Sequence, residues 1–195
     1  TWRAIGEVVL VFWMVWWGWT QFTWALNAAD TTHPRVEFAT LIATAVAFFL
    51  AVGIPSAFHG YPLWFAVTYV AVRGIGLLIY DWVAWTDPTQ RAAVRFFASF
   101  SVGGLIAVLV GGFLGGTLQY AFWALAIILD LVAAGLAARA EGWNIHPEHF
   151  SERHGLFVII ALGESLIVAA LSLTRGPWPA AEIATVVLAV AIAGA

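Results

Sequence analysis

The chain has 195 residues, of which 63% are hydrophobic and only 10% charged, with a net charge of -3 and a mean hydropathy of +0.92. Such a composition lies outside the range of soluble globular domains and defines an integral membrane protein whose surroundings are the lipid bilayer. It excludes nucleic acid as a partner, since phosphate neutralisation needs clustered basic residues, and the lack of Lys and Cys excludes Schiff-base chemistry, disulfides and thiolate ligands.

A hydrophobic ruler of about 20 residues divides the chain into spans at 8–26, 36–58, 62–85, 94–114, 118–137 and 154–173, with a truncated seventh at 180–195. The expected fold is therefore all-α: a polytopic transmembrane helix bundle, one domain over 1–195, with six full spans. In the first span, FWMVWWGWTQFTWALN sets Trp13, Trp17, Gln21 and Trp24 on one helical face. That face is either an aromatic-lined polar notch able to hold a ligand, or a packing surface in which Gln21 supplies acceptors to buried indole N–H groups. Ala39, Ala43, Ala47 and Ala51 recur every fourth residue in the second span, as do Ser99, Gly103, Ala107, Gly111 and Gly115 in the fourth. Both rows read as seams where small residues let helix backbones approach in a bilayer.

Three charges fall inside spans: Arg73 in YVAVRGIG, Asp130 in AIILDLVAAG and Glu164 in IIALGESLIV. Counted from one end of each span at 1.5 Å per residue, they lie about 16, 18 and 14 Å deep, near the midplane. Tyr69, Gly76 and Tyr80 share the Arg73 face, and Asp130 continues the row Ala126, Ala134, Ala138, so it should face another helix. One guanidinium neutralises one carboxylate, and a second acid nearby would hold or pass on a proton. The three residues therefore read either as a proton relay or substrate site, or as a structural pair with a protonated spare acid. Asp81, next to Trp82 at a span end, reads as solvated.

The sixth span opens from HPEHFSERHG, with Pro147 at a helix start after His146. Arg153 falls about 20 degrees from the Glu164 line and three turns above it, and His149 about 60 degrees away. The two form a candidate polar entrance. His149 and Glu152, at i and i+3, are weak candidates for metal ligation, but Arg153 stands where a dication would sit, and no metal or cofactor is expected. Ser151 and Ser165 lack the frame of a nucleophile elbow.

Arginine sets the orientation. Arg35, Arg91, Arg95, Arg139 and Arg153 fall on one side, predicted cytoplasmic, whereas the HGY and GGT connections carry none and should face outward with Thr1. Trp82, Trp85, Trp143 and Trp178 sit at span ends as an interfacial belt. An outward Thr1 and a last span that stops in mid-run read as a fragment lacking an N-terminal span.

HPEHFSERHGLFVIIALGES together with WWGWTQFTWALN resembles the bacterial low temperature requirement A family of multi-pass inner-membrane proteins. The resemblance covers most of the chain. It implies a bacterial inner-membrane protein linked to growth in the cold, and a missing acidic apolar opening helix similar to ELFFDLVFVFA. It brings no catalytic residues. The residues themselves point to a transporter or channel for a proton-coupled small solute or ion; the competing readings are a scaffold within a homo-oligomer or larger membrane complex, and a metal-dependent membrane enzyme.

Overall fold

A computed structural model of the chain describes residues 2–137 and 147–173, together with 183–184 and 187–188. The described residues are helical, without strands: α1 Trp2–Ala28, α2 Pro34–Gly53, α3 Pro62–Thr86, α4 Arg91–Leu114, α5 Gly116–Ala137 and α6 Pro147–Leu173, with 3-10 turns at Ile54–Ser56 and Pro88–Gln90. Helices α1 to α5 belong to one compact unit, Thr1–Ile145, and α6 to a second, His146–Ala195. Among the described residues, four segments are long and apolar enough to cross a membrane: Pro34–Ser56, Pro62–Trp85, Pro88–Leu114 and Gly116–Ala137. The expected seventh span lies outside the described residues apart from 183–184 and 187–188, as do Ala138, Arg139, Trp143, His146 and Trp178.

Proline starts several of these helices. Pro34, Pro62 and Pro147 occupy first helical positions, where the missing N–H removes no intrahelical bond and the fixed φ suits the helix. His33 caps α2 by accepting from the Arg35 amide at 3.2 Å. Asp87 organises the α3–α4 turn, accepting from the Thr89 amide at 3.0 Å, the Thr89 hydroxyl at 2.6 Å and the Gln90 amide group at 2.8 Å. Those bonds hold its carboxyl below the usual aspartate range, the Thr89 hydroxyl contributing most. Gly115, at φ +64°, turns the chain from α4 into α5 in a backbone conformation that only glycine adopts cheaply.

Helix α3 is the centre of the first unit, packed by α1, α2 and α4, while α4 and α5 form the closest pair. In lipid the attraction between helices is van der Waals packing rather than release of water, so close approach matters most. A Cβ added at Gly112 would lie 2.5 Å from the Ala66 Cβ and 3.1 Å from the Pro62 carbonyl oxygen, and one at Gly111 would lie 2.8 Å from Trp123. Trp123 fills the space that Gly111 leaves, buried and donating to the Val108 carbonyl at 3.1 Å, while Gly112 lets α3 approach.

The seams run differently from the every-fourth-residue rows. On α4 the buried line is Ser101, Gly104, Ala107, Val108, Gly111 and Gly112, while Ser99 is exposed and Gly103 half-buried. On α2 it is Val36, Ala43 and Leu50, with Ala39 and Ala47 half-buried and Ala51 exposed. Four residues advance a helix by about 400 degrees, so a strict four-residue row drifts about 40 degrees per step away from a straight contact line. Helix α5 keeps one face throughout: Gln119, Trp123, Ala126, Asp130, Ala133 and Ala137 are buried.

Two apolar clusters stack along the unit. One gathers Met14, Phe65, Tyr69, Val108, Trp123 and Ala126, and the other Trp17, Tyr80, Val94, Phe97 and Ala133. Arg73 and Asp130 stand between them in sequence on α3 and α5.

Candidate functional site

Arg73 is fully buried and Asp130 is 3% exposed. The two meet in a bidentate pair: Arg73 Nη1 donates to Asp130 Oδ2 at 2.8 Å and Nη2 to Oδ1 at 2.9 Å. A planar fork of N–H groups matches a carboxylate in just this way, and a charge so deep needs such a partner. Nη1 also donates to the Tyr69 hydroxyl at 2.9 Å. From α1, Gln21 closes the site at two points: its Oε1 accepts from Arg73 Nε, and its Nε2 donates to the Arg73 backbone carbonyl at 3.1 Å.

Two glycines make room. A Cβ at Gly18 would lie 3.7 Å from Arg73 Cδ and from Tyr69, and one at Gly104 would lie 3.7 Å from Asp130 Oδ1. Helices α1 and α4 can thus lie against the pair from two sides. The centre combines one cation, one anion, an amide and a phenol, drawn from α1, α3 and α5.

The structure therefore brings together Arg73, Asp130, Tyr69 and Gln21. It does not give Gln21 to the indoles: its carbonyl oxygen is taken by Arg73, and the buried Nε1 atoms of Trp13 and Trp17 have no hydrogen-bond partner among the described residues. The aromatic face itself exists, with Trp13 and Trp17 stacked at 6.1 Å and Trp17 edge-on to Trp24 at 6.3 Å. Gly76 packs against Gln21 and Phe22, and Tyr80 lies in the second cluster against Phe97. Asp81 is exposed, as a solvated boundary residue should be.

Glu164, Glu152 and Arg153 belong to α6 in the second unit, Glu164 and Glu152 exposed and Arg153 half-buried. The backbone of His149 lies in α6, and its side chain is outside the description. No group of three or more acidic or His side chains suited to a metal occurs among the described residues.

A second polar cluster escaped the sequence reading. Glu7 Oε1 accepts from Arg3 Nε at 3.0 Å and from the Tyr120 hydroxyl, and its Oε2 lies 3.0 Å from His59 Nε2. Arg3 Nε also reaches the Tyr120 hydroxyl at 3.0 Å. These bonds hold the Glu7 carboxyl below the usual glutamate range, the Tyr120 hydroxyl contributing most. Only the i,i+4 spacing of Arg3 and Glu7 was visible in advance, because the other members join positions 52 and 113 residues apart. The cluster ties the start of α1 to the HGY connection and to the start of α5, so these three share one end of the unit.

A helical bundle with membrane-length spans and a desolvated, bidentate ion pair at its centre defines a polytopic membrane protein with a buried charged site. The chain belongs to the family described as bacterial low temperature requirement A protein, whose model matches residues 1–195. It is 28% identical over 176 residues to an uncharacterized protein of Rhizobium meliloti (strain 1021), a match that takes in 83% of this chain and 42% of the relative. The chain thus spans less than half the length of that relative. No solved structure matches it.

Proposed function

We propose that this chain forms a proton-coupled transport or conduction centre for a small solute or ion in the bacterial inner membrane, with Arg73 and Asp130 at its heart. The observation that carries the reading is the fully buried Arg73, held by Asp130, Tyr69 and Gln21 within helices of membrane length. Ionisable groups at such depth mark substrate and proton paths in membrane proteins, because each is expensive to keep there. Glu164 is the second acid in this proposal, with Arg153 and His149 at the entrance of α6. Its part in the cold-growth phenotype of the family follows from the loss of flux.

The test is proton movement in proteoliposomes carrying an internal pH dye. The unmodified chain should conduct or exchange protons, and Asp130→Asn and Glu164→Gln should each abolish the flux while the protein still inserts. Wild-type flux in both variants would refute the proposal.

The scaffold reading draws on a different observation. Both Asp130 oxygens are already occupied by Arg73, as a structural clasp would have them. A clasp predicts no flux in the unmodified chain and loss of a co-purifying membrane partner when the pair is broken.

A further inference from the structure

The Gln21 amide touches Arg73 twice, and the two contacts fall at opposite ends of the same residue. Oε1 accepts from Nε, at the far end of the side-chain stem, while Nε2 donates to the Arg73 backbone carbonyl at 3.1 Å. The amide can sit only this way round, since reversing it would set N–H against N–H and oxygen against oxygen. The oxygen and nitrogen of a planar amide stand a fixed distance apart, so the two bonds hold Nε at one separation from its own main chain. Few arginine rotamers meet that condition.

The guanidinium is fixed in its plane as well, because all its N–H groups lie in that plane. One corner, Nε, is held from α1, and the edge opposite, Nη1 and Nη2, meets Asp130 from α5. A guanidinium held by α5 alone could pivot on the carboxylate; a third point from another helix removes that freedom. The packing is shaped to admit the amide. A Cβ at Gly76 would lie 3.1 Å from Gln21 Nε2 and 3.2 Å from Phe22, and one at Gly18 would lie 3.7 Å from Arg73 Cδ. Each helix thus offers one polar side chain and, three residues away on the same face, one glycine: Gln21 and Gly18 on α1, Arg73 and Gly76 on α3. Gln21 is 1% exposed, so outside water does not compete for its bonds.

We infer that Gln21 is the positioning residue of the centre: its amide clamps Arg73 in the rotamer that presents the Nη1–Nη2 edge to Asp130, and so keys α1 to the ion pair. The inference deepens the transport reading and rests on it for what the pair does. A neutral group with one acceptor and one donor is what the place requires. An ionised carboxylate there would set a second anion on one guanidinium and an oxygen against the Arg73 carbonyl, and an apolar chain would leave the buried Nε–H unanswered.

The test is nuclear magnetic resonance of the detergent-solubilised chain carrying isotope-labelled arginine, with Arg73 assigned by its absence from Arg73→Lys. In the unmodified chain the Arg73 Nε–H should exchange with solvent at least about a hundredfold more slowly than those of the exposed Arg35 and Arg95, and its Nη groups should give separate signals. Gln21→Met keeps the length and removes both bonds; exchange should speed up at least about tenfold and the Nη signals should merge. Gln21→Asn is one methylene too short to span both contacts and should do the same, which covers a Met variant that fails to fold. Gln21→Glu, when protonated, offers a carbonyl to Nε and an O–H to the Arg73 carbonyl, so at about pH 5 it should restore the unmodified pattern. Space-filling alone would favour Met over Glu. An Arg73 Nε–H that exchanges as fast as those of Arg35 and Arg95, Nη signals that stay separate in Gln21→Met and Gln21→Asn, or no rescue by Gln21→Glu overturns the inference. In proteoliposomes, Gln21→Met should lower the Asp130-dependent proton flux at least about tenfold. Undiminished flux overturns the inference as well; flux indifferent to Asp130→Asn removes the transport reading instead and leaves the arginine signals to decide the clamp.

Discussion

Replacing Asp130 by Asn keeps the side chain's size and removes its charge, so Arg73 is left as a cation facing an amide in a site that water does not reach. Arg73 is fully buried and its two bonds to Asp130 are 2.8 and 2.9 Å long. Breaking a buried pair by removing one partner costs about 3–5 kcal/mol, because the surviving charge keeps its desolvation penalty and loses its compensation. Arg73→Met should cost a similar amount, since it strands Asp130 and also leaves the Gln21 carbonyl without its donor. The double variant Arg73→Met/Asp130→Leu removes both charges at once, and its cost falls to the unpaired Gln21 carbonyl, about 1–3 kcal/mol. With Asp130→Leu as the matching single change, which strands Arg73 at the same cost of about 3–5 kcal/mol, the coupling energy between the two sites is at least about 3 kcal/mol. Reversible unfolding in mixed micelles, followed by tryptophan fluorescence for the unmodified chain, Arg73→Met, Asp130→Leu and the double variant, measures it. Loss of less than about 1 kcal/mol in Asp130→Asn, or additive single changes, would refute the claim that the pair is desolvated and mutually dependent.

Two further outcomes follow from the packing and the turn. Gly112→Ala places a Cβ 2.5 Å from the Ala66 Cβ, so α3 and α4 must separate; a loss of about 1–3 kcal/mol by the same unfolding assay is expected, against little change for Gly135→Ala, where nothing lies within 4 Å. The Asp87 carboxyl is held below its ordinary value of 3.8 by the Thr89 and Gln90 bonds, so its contribution is present above that value and lost as pH falls through the lowered one. Asp87→Asn should therefore lower stability slightly across the neutral range and flatten the acid limb, so that the two profiles converge below about pH 4.

What the sequence made legible was whatever depends on composition and on position along one helix. The helical class followed from hydropathy, and the matched depths of Arg73 and Asp130 follow from counting residues. The inward face of α5 was readable from the row Ala126, Asp130, Ala134, of which Ala126 and Asp130 are buried and Ala134 half-buried. What was lost depends on rotation and on partners. The small-residue rows on α2 and α4 were phased by a count of four, whereas contact follows the helix's own 3.6-residue turn. Gln21 stood among indoles in the sequence, yet its amide crosses to Arg73, because a guanidinium is the stronger claimant on a buried carbonyl oxygen. The Glu7 cluster joins three segments that nothing local connects.

The ion pair also sets a schedule for biogenesis. Arg73 leaves the ribosome 57 residues before Asp130 does. At about 5–20 residues per second that is an interval of roughly 3–11 seconds. During it α3 carries an unanswered arginine at the centre of a span, at about 2.5–3.5 kcal/mol on the insertion scale. The apolar residues of α3 offset that cost, since the span is long and apolar enough to cross a membrane by itself, and the arrival of α5 then removes it. The helix at the centre of the finished bundle thus waits for the fifth helix before its charge is answered.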